Sequence, residues 1–265
     1  MKGRVAIVTG GGTGIGAAIV RRLAGQGVHC VINYASSRDD AEALAAEVGA
    51  KNGARAIAVQ ADIVEDDACR ALAKAATEAF GRIDFLVNNA GRTRFANHED
   101  LEALNADDFI DIYKLNVIGA FQMIRACAPA MKAGDASAVV NIASVAGAFG
   151  MGSSAAYAAS KGALSTLTLS MARVLAPAIR VNAVAPAYVG TGWFEKRLGA
   201  EGFAKLNARI AASVPMAMAT MAEDVAGPVT MLLDPASRAI TGEIMLVDAG
   251  SHLDVGLSRR PGREG

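Results

Sequence analysis

The chain has 265 residues, 52% of them apolar, and its 26 lysines and arginines balance its 26 aspartates and glutamates. This length is enough for one large α/β core, and the apolar content excludes an intrinsically disordered chain. Because the formal net charge is zero, no overall field would attract nucleic acid or an anionic membrane, and we expect neither as a partner.

The cysteines and histidines show no spacing that would indicate a disulfide framework or a metal site. They are scattered along the chain as Cys30, Cys69, Cys127, His29, His98 and His252. The first apolar run, residues 5–8, is too short for a signal peptide, and serines and glycines interrupt the uncharged stretch 136–160 too often for a membrane span. We therefore expect a cytoplasmic protein without a bound metal.

Short apolar runs alternate with stretches of helical periodicity. The predicted strands are residues 5–8, 28–33, 56–59, 85–87, 138–142, 181–184 and 244–247. The predicted helices are residues 14–24, 39–47, 65–80, 106–131, 155–175 and 222–233. Continuous apolar runs indicate strands buried on both faces, and their alternation with helices indicates right-handed βαβ units. We predict an α/β fold of the Rossmann type, a doubly wound parallel sheet of about seven strands with helices on both faces.

No repeat or linker divides the chain, so a single domain is expected over residues 1–257. The glycine- and arginine-containing segment 258–265 is predicted to be a flexible tail. Segment 190–215 is helix-prone and lies between the last two predicted strands, in a position to cover a site.

A glycine-rich turn, residues 9–16 with the sequence TGGGTGIG, connects the first strand to the first helix. Free N–H groups and the dipole at the start of a helix attract phosphate, and glycines let a pyrophosphate approach the backbone. No Lys-Ser or Lys-Thr pair follows, which excludes a Walker loop. The alternative is a turn built only for tight packing, but its position favours dinucleotide binding. The predicted contacts are Gly10, Thr13, Gly14, Ile15 and Gly16.

Tyr157 and Lys161 are four residues apart on the predicted helix 155–175, so their side chains share one face. An ammonium about 5 Å from the phenol, at an effective dielectric near 20, favours the phenolate by roughly 3 kcal/mol, or about two pKa units. Tyr157 would then act as the acid/base toward a carbonyl or alcohol, and Ser144, near the end of the fifth strand, would hold the substrate oxygen. The alternative is a surface pair without a chemical role. The shared position at the carboxyl edge of the sheet, where ligands bind, favours catalysis.

These features resemble the short-chain dehydrogenase/reductase family over about residues 2–249. The pieces that carry the resemblance are Thr9-Gly10-x-x-x-Gly14-Ile15-Gly16, Asp62 after the third strand, Asn88-Asn89-Ala90-Gly91, Lys114-Leu115-Asn116-Val117, Ser144 and Tyr157-x-x-x-Lys161. The resemblance implies an oxidoreductase that moves a hydride between NAD(P) and a ketone, a 3-oxoacyl group or a secondary alcohol. The chain is similar to 3-oxoacyl carrier-protein reductases and to bacterial sugar and steroid dehydrogenases of this family.

The resemblance also implies roles for single residues. Asn116 would hold a water in a proton relay with Lys161, and Lys161 would bind the nicotinamide ribose together with Tyr157. The other implied cofactor contacts are Asp62 and Ile63 at the adenine, Asn89, Ala90 and Gly91 at the ribose side, and Pro186, Val189 and Thr191 near the nicotinamide.

One position departs from the family pattern. The family commonly has glycine after the proline that follows the sixth strand, and this chain has Ala187 after Pro186. Alanine fits such a position only where φ is negative or strain is accepted. The departure concerns the local geometry of the nicotinamide site.

The end of the second strand favours NADP(H) over NAD(H). The chain there reads Asn33-Tyr34-Ala35-Ser36-Ser37-Arg38, without the carboxylate that usually binds both ribose hydroxyls of NAD. Ser36 and Ser37 offer donors and Arg38 a fixed positive charge for a 2′-phosphate beside Tyr34. NAD(H) stays an alternative, because the serines also suit a helix cap and Thr13 stands where many NADP-binding relatives carry a basic residue.

The sequence does not identify the substrate. The loops expected around it contain Phe95, Phe149, Met151, Tyr188, Trp193 and Phe194, which predict a largely apolar pocket or lid packing. Arg94, Lys196 and Arg197 would suit a phosphate-bearing acyl carrier, or are ordinary surface charges.

Helices 106–131 and 155–175 are apolar around much of their circumference, so each must pack against other protein surface on more than one side. The resemblance implies that they form a dimer interface in a homotetramer, and burial within one subunit is the alternative.

Two other function classes remain in competition. A non-catalytic NAD(P)-sensing protein of the same fold is disfavoured because Tyr157 and Lys161 are both present. A serine hydrolase based on Ser144 lacks the nucleophile-elbow pattern and an obvious partner histidine.

Overall fold

The computed structural model describes residues 1–49 and 53–253, apart from the side chain of Trp193. The predicted tail, 258–265, lies outside the described residues. Seven parallel strands form one sheet in the order β3-β2-β1-β4-β5-β6-β7, which confirms the predicted fold class. The strands are β1 Val5–Val8, β2 His29–Tyr34, β3 Ala56–Gln60, β4 Phe85–Asn88, β5 Ser137–Ile142, β6 Ile179–Pro186 and β7 Ile244–Val247.

Helices cover both faces of the sheet. They are α1 Gly14–Gly25, α2 Arg38–Gly49, α3 Asp66–Phe80, α4 Ala106–Tyr113, α5 Ala120–Lys132, α6 Ala146–Phe149, α7 Ala155–Leu175, α8 Gly192–Ser213 and α9 Ala222–Leu233. One core layer packs α1, α2 and α9 against the sheet, with Ile19 and Val225 fully buried. The other packs α3, α5 and α7 against the opposite face, with Leu72 and Met123 fully buried.

The strand order reverses between β1 and β4. The chain runs outward from β1 to β3 and then returns to β4 on the other side of β1. The loops after β1 and β4 therefore diverge to opposite faces, and a crevice opens between them at the carboxyl edge of the sheet. In open α/β sheets ligands bind at this switch point.

The structure corrects the predicted helix 106–131. The segment consists of α4, a π-helical turn over Lys114–Gly119 and then α5. The wider turn takes in an extra residue without interrupting the apolar pattern, so periodicity alone did not reveal it. The helix-prone segment 190–215 forms α8, which is kinked at Gly199, where φ is 71°. The short α6 was not predicted.

The described residues contain no helix long and apolar enough to cross a bilayer. The described residues also contain no group of three or more histidine, cysteine or acidic side chains placed to hold a metal ion.

Candidate active site

The glycine-rich turn leaves the start of α1 open to a ligand. Thr13 precedes the helix in an extended conformation without a side-chain capping bond, and the first turn carries no acidic residue. Gly10 and Gly14 have φ of 59° and 52°. A Cβ atom on Gly16 would lie 2.4 Å from the carbonyl oxygen of Gly10 and 2.7 Å from Nδ2 of Asn89. The turn therefore requires glycine and presents backbone N–H groups where a phosphate would bind.

Hydrogen bonds tie this turn to the loop after β4. Asn89 Nδ2 donates to the carbonyl oxygens of Thr9 and Gly10 at 2.9 and 3.0 Å. Thr9 Oγ1 accepts from the backbone N–H groups of Asn89 and Ala90, both at 3.0 Å. The predicted phosphate turn and the predicted ribose loop are thus one rigid unit.

Asn33, at the end of β2, fixes the same turn from the other side. Its Oδ1 accepts from the N–H of Gly10 at 3.3 Å, and its Nδ2 donates to the carbonyl oxygen of Ala61 at 2.9 Å. Asn33 was not among the predicted site residues. A polar residue at the end of an apolar run was the available signal in the sequence.

Two adjoining clefts lie at this edge of the sheet. The smaller, of about 270 Å³, is lined by Gly10, Thr13, Asn33, Ala35, Ala61, Asp62, Ile63, Asn89, Ala90, Gly91, Arg92 and Leu115. The larger, of about 520 Å³, includes in its lining Ile15, Asn89, Gly91, Arg92, Thr93, Ser144, Tyr157, Lys161, Pro186, Ala187, Val189 and Thr191. The clefts share Asn89, Gly91 and Arg92 and so form one continuous groove. Most of the predicted cofactor and catalytic residues line it.

Ser144, Tyr157 and Lys161 meet in the larger cleft. Lys161 is 4% exposed, its Nζ donates to the carbonyl oxygen of Ile142 at 2.6 Å, and the same nitrogen is 5.6 Å from the ring centroid of Tyr157. Ser144 Oγ donates to the carbonyl oxygen of Pro186 at 3.2 Å. Because Ser154 accepts from the N–H of Tyr157 at the start of α7, the helix begins at a fixed position beneath the cleft.

Burial governs the protonation of this group. Desolvation raises the pKa of Tyr157, and a hydrogen bond with Ser144 opposes that rise. The expected net lowering of the pKa of Tyr157 is therefore wrong, because loss of water disfavours the phenolate more than its neighbours favour it. Burial also lowers the pKa of Lys161 to about 8. At neutral pH both groups keep their protons.

Asn116 lies in the π-helical turn, 1% exposed, behind the cleft. Its Oδ1 accepts from the N–H of Arg92 at 2.8 Å, and its Nδ2 donates to the carbonyl oxygen of Arg92 and to Ser160 Oγ, both at 3.0 Å. The side chain thus joins the loop after β4 to α7. A Cβ atom on Gly91 would lie 3.2 Å from Asn116 Oδ1 and 3.5 Å from Lys161 Nζ, which brings the three residues together.

Ala187 is accommodated without backbone strain. Among the described residues, the non-glycine positions with positive φ are Ala217 and Ala249, and Ala187 is not one of them. Its N–H donates to the carbonyl oxygen of Val247 at 3.4 Å. Glycine is therefore not required here. A Cβ atom on Gly14 would lie 3.5 Å from Thr191 Cγ2, so the loop after β6 lies against the glycine-rich turn.

The predicted phosphate-selecting residues lie at the end of β2, next to the smaller cleft. Tyr34 is 4% exposed, and the guanidinium carbon of Arg38 is 5.9 Å from its ring centroid. Arg38 is 59% exposed, and its polar contacts within the described residues are long, at 3.5 Å to Glu42 and 3.4 Å to Gln60. Ser36 is exposed and Ser37 is half-buried. Arg38 is thus held near the groove with its charge accessible.

The remaining wall of the larger cleft is mainly apolar, as predicted. Phe95, Met151, Tyr188 and Phe194 line it. Phe149 instead stacks on His252, with ring centroids 6.4 Å apart. The side chain of Trp193 lies outside the described part of the chain.

Comparisons with known proteins agree with this geometry. The model of the short chain dehydrogenase family matches residues 4–201. The ketoacyl reductase 2 assigned to the granaticin polyketide synthase of Streptomyces violaceoruber is 39% identical over 94% of this chain and 96% of its own. A 3-oxoacyl-[acyl-carrier-protein] reductase of Synechocystis is 38% identical over 93% of this chain and 96% of its own. The crystal structure of a protein classed as a short-chain dehydrogenase/reductase from Burkholderia xenovorans superimposes with a TM-score of 0.86 at 36% identity, covering 94% of this chain and 98% of that one.

The fold, the groove and these relatives define an oxidoreductase that acts on CH–OH and C=O groups with a nicotinamide cofactor. The chain belongs to the short-chain dehydrogenase/reductase family, which confirms the resemblance. The groove fits such a cofactor, because Gly16 leaves no room for a side chain at the start of α1 and the two clefts form one continuous channel.

We predict that Gly16→Ala weakens NADPH binding by at least about tenfold, because the added methyl collides with the backbone of the phosphate turn. Gly25→Ala is the matched control, since it lies in the same helix and a Cβ atom there meets nothing within 4 Å. Dissociation constants from NADPH fluorescence titration, with circular dichroism to verify folding, give the comparison. An unchanged constant for folded Gly16→Ala would show that the turn does not hold the cofactor.

Proposed function

We propose that this protein is an NADP(H)-preferring reductase or dehydrogenase that transfers a hydride between nicotinamide and a ketone or 3-oxoacyl carbonyl, or the corresponding secondary alcohol. The observation that carries the proposal is the meeting of Ser144, Tyr157 and Lys161 in a cleft continuous with the glycine-rich turn. Residues 1–257 would form one dinucleotide-binding and catalytic domain. The three buried, unpaired cysteines support a cytoplasmic location.

Tyr157 is the proton donor in the reductive direction. Its raised pKa keeps the phenol protonated at neutral pH, so it has a proton to give to the oxygen of a bound carbonyl. Ser144, which lines the same cleft and acts to lower the pKa of Tyr157, holds the same oxygen next to the phenol. The cofactor, when bound, supplies or takes up the hydride.

Lys161 stabilises the phenolate that remains after the proton has left Tyr157. The ammonium is 5.6 Å from the ring centroid in a site shielded from water, where its attraction for a negative oxygen is stronger than in solution. Asn116 anchors Arg92 and Ser160 and keeps α7 in register with the loop after β4. We assign Asn116 and Lys161 to the relay that returns the proton to Tyr157, as the family resemblance implies.

We predict that Tyr157→Phe keeps the fold and NADPH binding but loses at least about 10²-fold in kcat, because it removes the proton donor. Tyr188→Phe is the matched control: the same hydroxyl is removed from the same cleft, where it bonds Asn207 at 2.7 Å. Loss of NADPH absorbance with a panel of ketones and 3-oxoacyl esters measures turnover. Full activity of Tyr157→Phe would refute the mechanism.

The same assay separates the competing functions. A sensing protein would bind NADPH without consuming it with any carbonyl. A hydrolase based on Ser144 would need a partner histidine, and none of the residues that line the larger cleft within the described chain is a histidine. His252 instead bonds Asp248 at 2.8 Å, and His29 stacks on Phe80.

The preference for NADP(H) rests on Arg38 and on the residues beside it. Its guanidinium stands at the start of α2, two residues after the exposed Ser36, and is itself exposed, with a carboxylate oxygen of Glu42 3.5 Å away. A 2′-phosphate would replace the long contacts to Glu42 and Gln60 with a charge-assisted bond.

We expect Arg38→Ala to lower kcat/KM for NADPH by about tenfold to a hundredfold and to change the value for NADH little, because only NADPH carries the 2′-phosphate. Arg21→Ala, which removes a similarly exposed arginine paired with Glu47, serves as the control. Equal or better use of NADH by the unmodified protein would contradict the assignment.

Homotetramer formation is the other part of the proposal. The exposed apolar side chains on the neighbouring helices α4, α5 and α7 are Phe109, Ile110, Tyr113, Phe121, Leu169 and Val174. A second face lies at the sheet edge, where β7 is half-exposed and pairs only with β6. Such apolar surfaces and unpaired strand edges are usually covered in the assembled protein.

We predict a mass of about four times 27.1 kDa by light scattering at micromolar concentration. Leu169→Lys should reduce the tetramer to smaller species, because it places a charge in the helical face. Leu198→Lys, at a position of equal exposure on α8, should not. A monomeric mass for the unmodified protein would rule out this assembly.

A further inference from the structure

The larger cleft offers a substrate little to bind except apolar surface and the proton donor. Among its lining residues, Ile142, Val145, Met151, Val189 and Phe194 are apolar. Its polar groups include Ser144 and Tyr157, which face the reacting oxygen, and the hydroxyls of Thr93 and Ser153, which bond each other at 2.5 Å. A cavity of about 520 Å³ with this lining suits a small, mostly apolar molecule.

The arginines beside the mouth are already engaged. Arg92 binds both oxygens of Asp111, at 2.9 and 2.7 Å, and Arg94 pairs with Asp108. The guanidinium of Arg197 lies 5.3 Å from the ring centroid of Phe95. The carboxylate beside each guanidinium offsets its charge, so an anionic substrate gains less from binding Arg92 or Arg94 than from binding an unpaired arginine.

The same segment leaves an excess of negative charge at the mouth. Between residues 92 and 111 the chain has two arginines and six carboxylates. Four of these carboxylates are exposed and form no ion pair with another described residue, namely Glu99, Asp100, Glu102 and Asp107. Helix α8, on the other side, offsets only half of this excess, because it carries four basic and two acidic side chains.

Two contacts place this acidic segment against the cleft. His98 Nε2 lies 3.2 Å from the carbonyl oxygen of Gly152, and the N–H of Ala96 donates to the carbonyl oxygen of Ser153 at 2.9 Å. Gly152 and Ser153 both line the larger cleft. Glu99 therefore follows directly on a loop that is bonded to the rim.

We infer that the substrate of this enzyme is a small uncharged carbonyl compound. The acidic mouth disfavours acyl thioesters whose carrier bears phosphate groups, whether that carrier is coenzyme A or an acyl carrier protein. This inference rests on the proposed reductase activity. The inferred substrate differs from the acyl-carrier-protein thioester in the name of the Synechocystis relative. A negative field at the entrance slows the approach of anions and leaves neutral molecules unaffected.

The test compares two thioesters with the same acetoacetyl group, acetoacetyl-N-acetylcysteamine, which is uncharged, and acetoacetyl-coenzyme A, which is anionic. Both are assayed at saturating NADPH within a wider panel of neutral and anionic carbonyls. We expect kcat/KM at about 0.01 M salt to be at least about tenfold higher for the neutral thioester. Raising the salt to about 0.15 M shortens the screening length from about 30 Å to about 8 Å and should narrow this gap.

Charge-neutralising variants identify the source of the effect. Glu99→Gln combined with Glu102→Gln should raise kcat/KM for the coenzyme A thioester several-fold at low salt. The value of kcat/KM for the neutral thioester should stay unchanged. The control combines Glu78→Gln near the end of α3 with Glu243→Gln before β7. This double variant changes the net charge by the same amount at the opposite edge of the sheet. It should leave kcat/KM for both thioesters unchanged.

The outcomes are distinct. Preference for acetoacetyl-coenzyme A, with a rate that falls as salt rises, would overturn the inference while leaving the reductase activity standing. Reduction of a neutral panel member without reduction of either thioester would support it, and preference for an anionic panel member would overturn it. Absence of NADPH consumption with every carbonyl would refute the proposed function itself.

Discussion

The buried ammonium of Lys161 is the constraint around which the proposed active site is arranged. A charge that is 4% exposed costs several kcal/mol unless it is hydrogen-bonded, and the carbonyl oxygen of Ile142 at 2.6 Å provides one such bond. The backbone packs closely around it: a Cβ atom on Gly147 would lie 2.5 Å from the carbonyl carbon of Lys161. This tight contact between α6 and α7 holds the lysine in its buried position, one helical turn from Tyr157.

The parallel sheet brings the rest of the site to this lysine. Every strand ends at the same edge, so the loops after β1, β4, β5 and β6 meet there although they are distant in sequence. Side-chain amides connect them. Asn89, in the loop after β4, and Asn33, in β2, both form hydrogen bonds with the glycine-rich turn. Asn116 forms hydrogen bonds with both the loop after β4 and α7. These hydrogen bonds connect the phosphate end of the groove to α7, which carries Tyr157.

Much of this arrangement could be predicted from the sequence, because it depends on local patterns. Apolar runs gave the strands to within about two residues, and the spacing of Tyr157 and Lys161 placed both on one helix face. The π-helical turn at Asn116 was missed, since an extra residue in a helix leaves no periodic signal. The direction of the pKa change at Tyr157 was also missed, because it depends on burial, and burial is a property of the folded chain. The pairing of Arg92 and Arg94 with carboxylates of α4 is long-range and likewise invisible in the sequence.

The pH dependence of carbonyl reduction tests the central claim, that the charge of Lys161 supports proton donation by Tyr157. Burial places the pKa of Lys161 at about 8 and raises that of Tyr157, so of these two groups the lysine is the one that changes charge between about pH 7 and about pH 9.5. With saturating NADPH and a substrate that does not titrate, kcat/KM for reduction should be constant below about pH 7 and half its plateau value near pH 8. It should fall above it, toward about tenfold per pH unit, as the ammonium loses its proton. A rate that stays flat or rises across this range would contradict the account.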